Sequence, residues 1–504
     1  MMPAMRSDTQ WRLCGLLRGL STVSPVDDVP VEGLSMDSRQ VRPGDLFVAC
    51  AGDRAHGLQH LDEAISRGAV AIAWEPAPGV EAPATVPGIP LAQVSDLRRR
   101  AGEIADRFYS HPSTELNVIG VTGTDGKTSV SQFIAQALDE GVGRCAVVGT
   151  LGYGLFDELE PGAHTTPDAV TLQRVLSEFR SRGATSVVME VSSHALDQAR
   201  VGGVSFNVAV LTNLSRDHLD YHGDVGAYRA AKEKLFSMPG LRDAVLNLDD
   251  DFGRELAAGL SAGIDRLGVT LAGSQFPGME IVEATVVDPR PGGLSLQVQT
   301  PFGSGRIDSG LLGRFNAFNL LESLAVLLRL GVSLDDGLTR LSRTRTVAGR
   351  MEPFGGGIRP LVIVDFAHTE AALRNALAAA REHVRGKLWC VFGCGGDRDS
   401  GKRPLMGAAA EQGADHVIVT DDNPRSENPA AIASDILSGI RYPQTVRVEH
   451  DRGRAIRAAI DASGPGDAVL VAGKGHETMQ TGASGSVAFS DRETVAEYLG
   501  MAPA

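Results

Sequence analysis

The chain has 504 residues, a formal net charge of -14 and a hydrophobic fraction of 43%. This length exceeds one ordinary domain and fits about two to four. The acidic balance argues against nucleic acid as a partner, because no basic field attracts a phosphate backbone. The sequence contains neither a signal-peptide core nor about 18 consecutive apolar residues, so we expect a cytoplasmic protein without a membrane span.

The five cysteines are scattered along the chain. Their odd number and irregular spacing favour a reducing compartment over a disulfide framework. Cys390 and Cys394 are close enough in sequence to share a metal, but no second pair exists to complete a zinc site. The cysteines therefore do not indicate a metal centre.

Residues 1–112 are predicted to form a mixed α/β domain of short strands and helices. Within it, the proline-rich segment from Glu75 to Pro90 is typical of a surface loop. This domain ends where the β-branched run "LNVIGV" leads into a glycine-rich loop.

Residues 113–344 alternate between strand-like and helical runs, which predicts a parallel α/β sheet. The strand-like runs are "LNVIGV", "TSVVMEV", "FNVAVLTN" and "DAVLNLD". The first helix has one apolar face at helical spacing, formed by Val130, Phe133, Ile134, Ala137 and Leu138. The apolar helix "NLLESLAVLLRLG" closes this central domain.

Residues 345–504 repeat the alternation and are predicted to form a second, doubly wound sheet. Its strand-like runs are "PLVIVDF", "LWCVFG", "DHVIVTD" and "DAVLVAG". The fold class is therefore α/β with three domains.

The glycine-rich loop "GVTGTDGKTSV" lies between the first strand of the central domain and its first helix. The general phosphate-loop pattern requires a glycine at position 121, where this chain has Val121. Strand, glycines and helix N-terminus together still favour phosphate binding over an ordinary glycine turn. Lys127 is then expected to reach the outer phosphates, and the Thr128 hydroxyl to contact Mg²⁺.

This shifted pattern resembles the ATP loop of the Mur ligase superfamily, which joins an acid to an amine through an acyl phosphate. The resemblance implies ATP and Mg²⁺ as cofactors and a set of nucleotide-binding loop residues, Gly123, Thr124, Asp125, Gly126, Lys127, Thr128 and Ser129. The superfamily usually has Asn where this chain has Asp125. Since a carboxylate repels phosphate, we expect Asp125 to turn its side chain away, capping its own loop, or to weaken ATP binding.

Lys232 falls on one helical row with Tyr228 and Phe236. Spacing alone favours a snorkelling surface lysine. A buried lysine would instead have a lowered pKa and could capture CO₂ as a carbamate, whose oxygens suit Mg²⁺. The segment resembles the carbamylated-lysine segment of the muramyl tripeptide ligases, which implies the second alternative.

Two further polar residues, Glu190 and His218, follow strand-like runs, where ligands bind in parallel sheets. The resemblance implies that they hold metal between ATP and the acid. The implied catalytic residues are Lys127, Lys232, Glu190 and His218, and the implied metal ligands are Thr128, Glu190, His218 and Lys232.

The segment "MDSRQVRPGDLFVACAG" is similar to the N-terminal uridine-nucleotide segment of the family. Its implied substrate-binding positions are Met36, Ser38, Asp53, Arg54 and Ala55. Folylpolyglutamate synthetases, which belong to the same superfamily, lack such a domain. Its presence therefore argues against a folate-type activity.

Further positions are similar to those that bind the muramyl peptide in the family. They are Thr165, Thr166, Ser192, Gln198 and Arg200. The threonine pair has a structural alternative, because it also precedes Asp168 in a plausible helix N-cap region.

The tetrapeptide "DNPR" follows the strand-like run "DHVIVTD". An arginine just past a strand can hold a carboxylate in bidentate fashion. The diaminopimelate-adding members of the family have this arginine and the lysine-adding members lack it. The implied amino-acid pocket comprises Arg398, Asp422, Asn423, Pro424, Arg425, Gly473 and Glu477.

Five more positions match the ATP-clasping residues of the family, namely Asn316, Asn319, Arg350, Asp365 and His368. Phe366 replaces a usual tyrosine among them, which we interpret as packing variation.

The resemblance implies a monomeric, ATP-dependent ligase. It would add meso-diaminopimelate to the D-Glu γ-carboxylate of UDP-N-acetylmuramoyl-L-Ala-D-Glu, with both small molecules as substrates. Two alternatives remain open. One is a ligase for another acid, which the N-terminal segment opposes. The other is a nucleotide-binding paralogue without catalysis, which only Asp125 supports.

Overall fold

The structure is a computed structural model. It describes the chain over five ranges, 11–52, 55–82, 86–141, 143–290 and 292–501. In these ranges no helix is long and apolar enough to cross a membrane.

The chain divides into two compact units. The first comprises Met1–Ile281 and Glu322–Val332, and the second comprises Val282–Leu321 and Ser333–Ala504. The first unit contains the N-terminal α/β sheet and the central parallel sheet, and the second contains the doubly wound sheet. Over the described ranges the two units thus hold three main sheets, two in the first unit and one in the second, and the predicted α/β architecture with three domains is confirmed.

The N-terminal sheet has four parallel strands in the order β3-β4-β5-β6. The elements of this region are β1 Trp11–Arg12, α1 Leu13–Leu16, β2 Pro30–Val31, β3 Gly33–Ser35, β4 Asp45–Ala49, α2 Leu61–Ser66, β5 Ala71–Trp74, β6 Leu91–Gln93 and α3 Leu97–Phe108. Strand β4 is buried on both faces, as expected for an inner parallel strand. Leu46 packs in the cluster that includes residues of α3, and Phe47 packs in a second cluster on the opposite face.

The central sheet follows in the same unit. Its elements are β7 Asn117–Thr122, α4 Lys127–Asp139, β8 Arg144–Gly149, β9 Gly152–Leu155, α5 Ala169–Ser181, β10 Ala184–Glu190, α6 Ser193–Asp197, β11 Val208–Leu211, α7 Leu219–His222, α8 Val225–Glu233, β12 Asp243–Asn247, α9 Asp251–Gly259 and β13 Asp265–Thr270. The strands run in the order β13-β12-β11-β7-β10-β8-β9 and are parallel except for β9.

All four strands predicted for the central domain are present. The predicted apolar face of α4 is buried as well, with each of its five residues at most 1% exposed. Strand β7 lies between β10 and β11. Residues that follow these three strands therefore share one edge of the sheet, where ligands bind in α/β proteins.

The second unit begins with an antiparallel meander that the sequence analysis did not predict. It comprises β14 Glu280–Arg290, β15 Gly293–Thr300 and β16 Gly303–Ser309. Helix α10 Arg314–Arg329 follows and passes into the first unit at Glu322, and α11 Leu334–Ser342 belongs to the second unit. Alternate residues of β15, such as Leu296 and Val298, are buried and the intervening Gln297 is exposed. Such half-exposed strands lack the continuous apolar runs of a parallel sheet.

The C-terminal sheet has the strand order β17-β18-β22-β19-β20-β21 and is parallel except for β17. Its elements are β17 Glu352–Gly355, β18 Leu361–Asp365, α12 Glu370–Glu382, β19 Leu388–Phe392, α13 Lys402–Gly413, β20 His416–Val419, α14 Pro429–Leu437, β21 Arg447–Val448, α15 Arg452–Ala462, β22 Ala468–Ala472, β23 Met479–Gly482, β24 Gly485–Ala488 and α16 Asp491–Tyr498. The four predicted strands are β18, β19, β20 and β22. Strands β23 and β24 form a separate hairpin.

Candidate functional site

The glycine-rich loop joins the end of β7 to the start of α4, as the sequence predicted. Gly123 has φ 151°, and a Cβ atom there would lie 1.9 Å from Thr212 Oγ1. Gly126 adopts φ 82° immediately before the helix. Both positions therefore require glycine, one for close packing and both for backbone conformation. The resulting turn presents the N-terminus of α4 as an anion site.

Asn213, which follows β11, holds the loop in place. Its side chain accepts from the Asp125 backbone N–H (2.9 Å) and donates to the Asp125 carbonyl (3.1 Å). The Asp125 side chain is exposed, and its carboxylate makes no hydrogen bond in the described part of the chain. The side chain thus turns to solvent as expected, but Asn213 caps the loop and Asp125 does not.

Two lysines converge on one carbonyl of this loop. Lys127 Nζ donates to Gly123 O (3.0 Å) and to Thr124 O (2.8 Å), and Lys232 Nζ donates to Gly123 O (2.5 Å). Burial lowers the pKa of Lys127. Burial, together with the nearby Lys127 charge, lowers the pKa of Lys232 to about 6. At neutral pH the Lys232 amine is therefore largely uncharged and nucleophilic.

Lys232 lies on α8 with only 1% of its surface exposed. Its Nζ sits 4.6 Å from the centre of the Tyr228 ring, and the Tyr228 hydroxyl is 3.1 Å from Thr124 Oγ1. Phe236, in the 3₁₀ turn that follows α8, is also buried. The snorkelling interpretation is wrong, because the helix row packs into the interior and leaves the lysine no path to solvent.

Glu190, the last residue of β10, is 2% exposed and surrounded by hydroxyl groups. Its Oε2 accepts from Thr128 Oγ1 (2.8 Å) and Thr150 Oγ1 (3.1 Å), and its Oε1 accepts from the Thr150 backbone N–H (2.8 Å). The structure thus joins two of the predicted metal ligands directly. Thr150 was missed by the sequence analysis, although it directly follows the strand β8.

His218, the third predicted metal ligand, belongs to a neighbouring aromatic cluster. Its ring centre is 4.9 Å from that of His194 and 6.1 Å from that of Tyr228. Its Nε2 lies 3.4 Å from Asp217 Oδ2. His218 therefore lies near Tyr228, whose ring covers the Lys232 amine. It makes no hydrogen bond to Glu190 in the described structure.

The donor atoms near Glu190 match the chemistry of Mg²⁺, which takes oxygen ligands. A carboxylate and the hydroxyl groups of Thr128 and Thr150 converge within hydrogen-bond distance. The described residues contain no group of three or more His, Cys, Asp or Glu that could hold a metal by themselves. A bound cation would thus also require oxygen atoms from phosphate, from substrate or from a modified Lys232.

The predicted muramyl-peptide residues lie together beside Glu190. Thr166 Oγ1 donates to the Glu190 carbonyl (2.8 Å) and accepts from the Ser192 N–H (3.2 Å). Arg200 donates to the Thr166 carbonyl (3.0 Å) and to Gln198 Oε1. Burial lowers the pKa of Arg200.

Thr165 completes this group through Thr150, since their hydroxyl oxygens are 3.1 Å apart. The helix N-cap alternative is also present, because Asp168 caps α5 by accepting from the Val170 and Thr171 N–H groups. Because Asp168 makes the cap, the hydroxyl groups of Thr165 and Thr166 are available for their hydrogen bonds with Thr150 and Glu190.

The predicted uridine-nucleotide residues follow the carboxyl ends of β3 and β4. Ser38 is buried and donates to Glu63 Oε2 (2.7 Å), and Met36 packs against the N-terminal core. The Ala55 carbonyl accepts from the Gly52 N–H (3.0 Å). Asp53 and Arg54 lie outside the described residues. Met36 also lines a cavity of about 1070 Å³ within the first unit.

The second unit contains the predicted amino-acid pocket at the carboxyl ends of β19, β20 and β22. Arg425 has φ 51°, its backbone N–H donates to Thr481 O (2.9 Å), and its guanidinium donates to Gly396 O (2.7 Å). Gly473 must lack a side chain, because a Cβ atom would lie 2.7 Å from Asp422 Oδ2.

Other residues of the pocket differ in exposure. Asn423 Nδ2 donates to Glu477 Oε2 (2.9 Å), and Pro424 is buried beside them. Arg398 is exposed and has no hydrogen bond within the described chain. Burial raises the pKa of Asp422.

The predicted ATP-clasping residues also lie in the second unit. Asn319 Nδ2 donates to Asn316 Oδ1 (2.8 Å), and the Arg350 guanidinium is 5.0 Å from the Phe366 ring centre. Both carboxylate oxygens of Asp365 accept hydrogen bonds from backbone N–H groups, one from Met351 and the other from Ala367. Asp365 therefore shapes the loop that carries Arg350.

His368 Nδ1 lies 2.8 Å from the Phe366 carbonyl. The two cysteines of the same unit, Cys390 and Cys394, are buried. Burial raises the pKa of Cys390 and of Cys394 to about 12, so both are thiols.

Three family models match successive parts of the chain. The "Mur ligase family, catalytic domain" matches residues 30–109, the "Mur ligase middle domain" matches residues 121–327, and the "Mur ligase, glutamate ligase domain" matches residues 349–475.

Curated relatives extend this match over nearly the full length. The chain is 53% identical to UDP-N-acetylmuramoyl-L-alanyl-D-glutamate–2,6-diaminopimelate ligase of Alkalilimnicola ehrlichii, over 97% of this chain and 99% of that protein. Proteins of the same name from Pseudomonas aeruginosa and Coxiella burnetii are 49% and 47% identical, each over 94% of this chain and 96% of the relative.

Solved structures are also similar to this chain over nearly its full length. A structure of UDP-N-acetylmuramoyl-L-alanyl-D-glutamate–2,6-diaminopimelate ligase has a TM-score of 0.76 and 35% identity, and covers 98% of this chain and 99% of that one. A Mycobacterium tuberculosis folylpolyglutamate synthase complexed with ADP and AMPPCP shares the fold, with a TM-score of 0.57 and 20% identity, over 74% of this chain and 92% of that one.

Proposed function

Since the chain belongs to the Mur ligase family, we propose that it is the ligase that extends a nucleotide-linked muramyl dipeptide by one diamino acid. The acid substrate is UDP-N-acetylmuramoyl-L-Ala-D-Glu, the amine is meso-diaminopimelate, and ATP is converted to ADP. The product is a precursor of peptidoglycan. The observation that carries this proposal is the convergence of Lys127 and Lys232 on the Gly123 carbonyl, beside an anion-binding loop.

The residues of the first unit have distinct parts in the proposed reaction. Lys127 and the backbone N–H groups of the loop bind the phosphates of ATP. Thr128, Glu190, His218 and a carbamylated Lys232 would hold Mg²⁺, which lowers the cost of bringing two anions together. Thr166, Ser192, Gln198 and Arg200 orient the acid.

The bond changes follow the pattern of acyl activation. The D-Glu γ-carboxylate oxygen attacks the terminal phosphorus of ATP, ADP leaves, and an acyl phosphate forms. The diaminopimelate amine then attacks the acyl carbon, and phosphate leaves as the amide forms and the amine loses a proton. Positioning and charge neutralisation supply most of the acceleration in such phosphoryl transfers.

In the second unit, Arg425 and Glu477 would recognise the two ends of diaminopimelate. Arg425 holds the distal carboxylate, which lysine lacks, and Glu477 accepts from an amino group. A lysine in this pocket would leave the guanidinium without its carboxylate, which disfavours lysine. The five cysteines are free thiols, which supports a cytoplasmic, reducing location. We expect the enzyme to act as a monomer.

The proposal is tested by an omission experiment. Phosphate release is measured with ATP, Mg²⁺, the muramyl dipeptide and diaminopimelate, and then with each component left out. Amide product detected by mass spectrometry only in the complete mixture, and absent in Lys127→Ala, is the expected result. Phosphate release that is independent of the dipeptide would contradict the proposal.

A further inference from the structure

Lys474 follows β22 and is completely buried, yet no part of the mechanism above uses it. Its ammonium group donates to Asn423 Oδ1 (3.1 Å), Glu477 Oε2 (2.9 Å) and Met479 O (2.8 Å). An ammonium group has three protons, so these three acceptors satisfy it completely. Lys474 therefore has no donor left for a substrate.

The bond from Lys474 fixes the orientation of Asn423. Asn423 Oδ1 accepts from Lys474 and also from the Thr481 backbone N–H (2.9 Å). Two donors on this side identify it as the oxygen of the amide, which is otherwise difficult to distinguish from the nitrogen. The Nδ2 group must then point to Glu477 Oε2, where it donates at 2.9 Å.

Glu477 consequently has one occupied oxygen and one available oxygen. Oε2 accepts from both Lys474 and Asn423, and Oε1 has no hydrogen bond to any described residue. The side chain of Glu477 is 35% exposed, so Oε1 is accessible from the pocket.

We propose that Lys474 is a positioning residue of the amino-acid pocket. It holds Glu477 and Asn423 so that Glu477 Oε1 alone accepts the ammonium group of the incoming diamino acid. This inference rests on the proposed function, which places that substrate in the pocket.

The charges around Glu477 support this role. Arg452 pairs with Asp491, and Lys474 pairs with Glu477. The Asp422 carboxylate is buried, and the charges that act on it include those of Arg452, Lys474 and Glu477. Removal of Lys474 would leave two carboxylates, those of Asp422 and Glu477, next to each other with one cation fewer.

The pKa of Glu477 should respond to that loss. Burial acts to raise the pKa of Glu477, but hydrogen bonds from Lys474 and Asn423 outweigh it and hold the pKa below its ordinary value. Other titratable groups that interact with Glu477 are His476, Asp422 and Arg452. Without Lys474 the pKa rises, so protonation removes the charge that attracts the substrate ammonium at a higher pH than in the wild-type enzyme.

The test is steady-state kinetics of Lys474→Met in the full chain. We expect KM for diaminopimelate to rise about tenfold or more, with KM for ATP nearly unchanged. The increase in KM on acidification should begin at a higher pH than in wild type, which a purely structural defect would not produce. Lys387→Met is the matched control, because Lys387 is 63% exposed on the same unit. An unchanged KM and pH profile would overturn the proposal.

A double variant tests whether the loss of Lys474 changes KM through Glu477. If Lys474 acts through Glu477, the combination with Glu477→Gln should be no worse than Glu477→Gln alone. Additive losses would overturn the proposal. Lys474→Gln, which keeps a donor without the charge, replaces Lys474→Met if that variant does not fold.

A substrate-free measurement separates this inference from the proposed function. Carbon-13 NMR of glutamate-labelled protein, with Glu477 assigned by Glu477→Gln, should show a higher pKa for Glu477 in the Lys474 variant. Equal pKa values would overturn the inference even if wild type forms the amide. A wild type that does not turn over diaminopimelate would overturn the proposed function independently.

Discussion

The amine of Lys232 is held in an apolar, enclosed position by three contacts. The Tyr228 ring covers it, the Gly123 carbonyl accepts from it, and the Lys127 ammonium lies close enough to disfavour a second positive charge. Burial, together with the nearby Lys127 charge, lowers the pKa of Lys232 to about 6 and keeps the amine neutral near pH 7, the form that reacts with CO₂. A carbamate on Lys232 would carry a negative charge, which the Lys127 ammonium attracts.

Lys232→Ala should reduce kcat about 100-fold, because the carbamate oxygens would be lost from the metal site. Short carboxylic acids such as formate should restore part of the activity and bicarbonate should not. The control is Lys234→Ala, since the Lys234 side chain is 42% exposed and pairs with Asp197. Full activity in Lys232→Ala would exclude a carbamate.

Asp125→Asn should lower KM for ATP, because it removes a carboxylate near the phosphates. The side chain is exposed, so solvent screening reduces the repulsion to about 1 kcal/mol or less. This energy corresponds to a change in KM of about fivefold at most. The effect should shrink as salt is added. Glu140→Gln, an exposed change at the end of α4, serves as the control. A loss of activity in Asp125→Asn would show that the carboxylate has a positive role.

Residues that function as one continuous motif were predictable, and partners from other parts of the chain were not. Lys127, Thr128 and the loop glycines follow from local spacing. Thr150 and Asn213 contact the site only because β8 and β11 end at the same edge of the sheet as β7. Sequence order cannot show that proximity until the strand order is known.

Helices α15 and α16 are joined by a completely buried ion pair. The Arg452 guanidinium contacts the Asp491 carboxylate at 2.7 Å through two nitrogens and also donates to the Ala472 carbonyl at the end of β22. Both side chains have no exposed surface. The pair therefore fixes the two helices beside the strand that precedes Gly473.

Arg452→Met should destabilise the second unit by about 3–5 kcal/mol, because it leaves the Asp491 charge buried without a partner. The measurement is the shift of the thermal unfolding midpoint. Arg452→Met combined with Asp491→Leu should recover much of the loss. Arg447→Met, which removes an exposed arginine, should change the midpoint little. A double variant as unstable as the single one would contradict this account.

The parallel strands were predictable because both of their faces are buried, which gives continuous apolar runs such as "PLVIVDF". The meander β14–β16 was not recognised, since exposed residues interrupt the apolar runs of β15 and β16. The spacing of residues in the sequence also could not predict that Lys232 is buried, because the elements that cover α8 are distant in the chain.

In the whole molecule, each of the two compact units contains a different group of candidate functional residues. The first unit contains the anion-binding loop, the lysine pair and the Glu190 network. The second contains the pocket built from Asn423, Arg425 and Glu477. Under the proposed function, the first set of residues would activate the acid and the second would select the amine.

The most direct test of this account is the rate of phosphate release with meso-diaminopimelate or L-lysine as the amine, for wild type and Arg425→Ala. Wild type should turn over diaminopimelate and little lysine. Arg425→Ala should lose about 1.5–3 kcal/mol of that preference, the value of a hydrogen bond to a charged group. Equal turnover of the two amines by wild type, or none with either, would contradict the account.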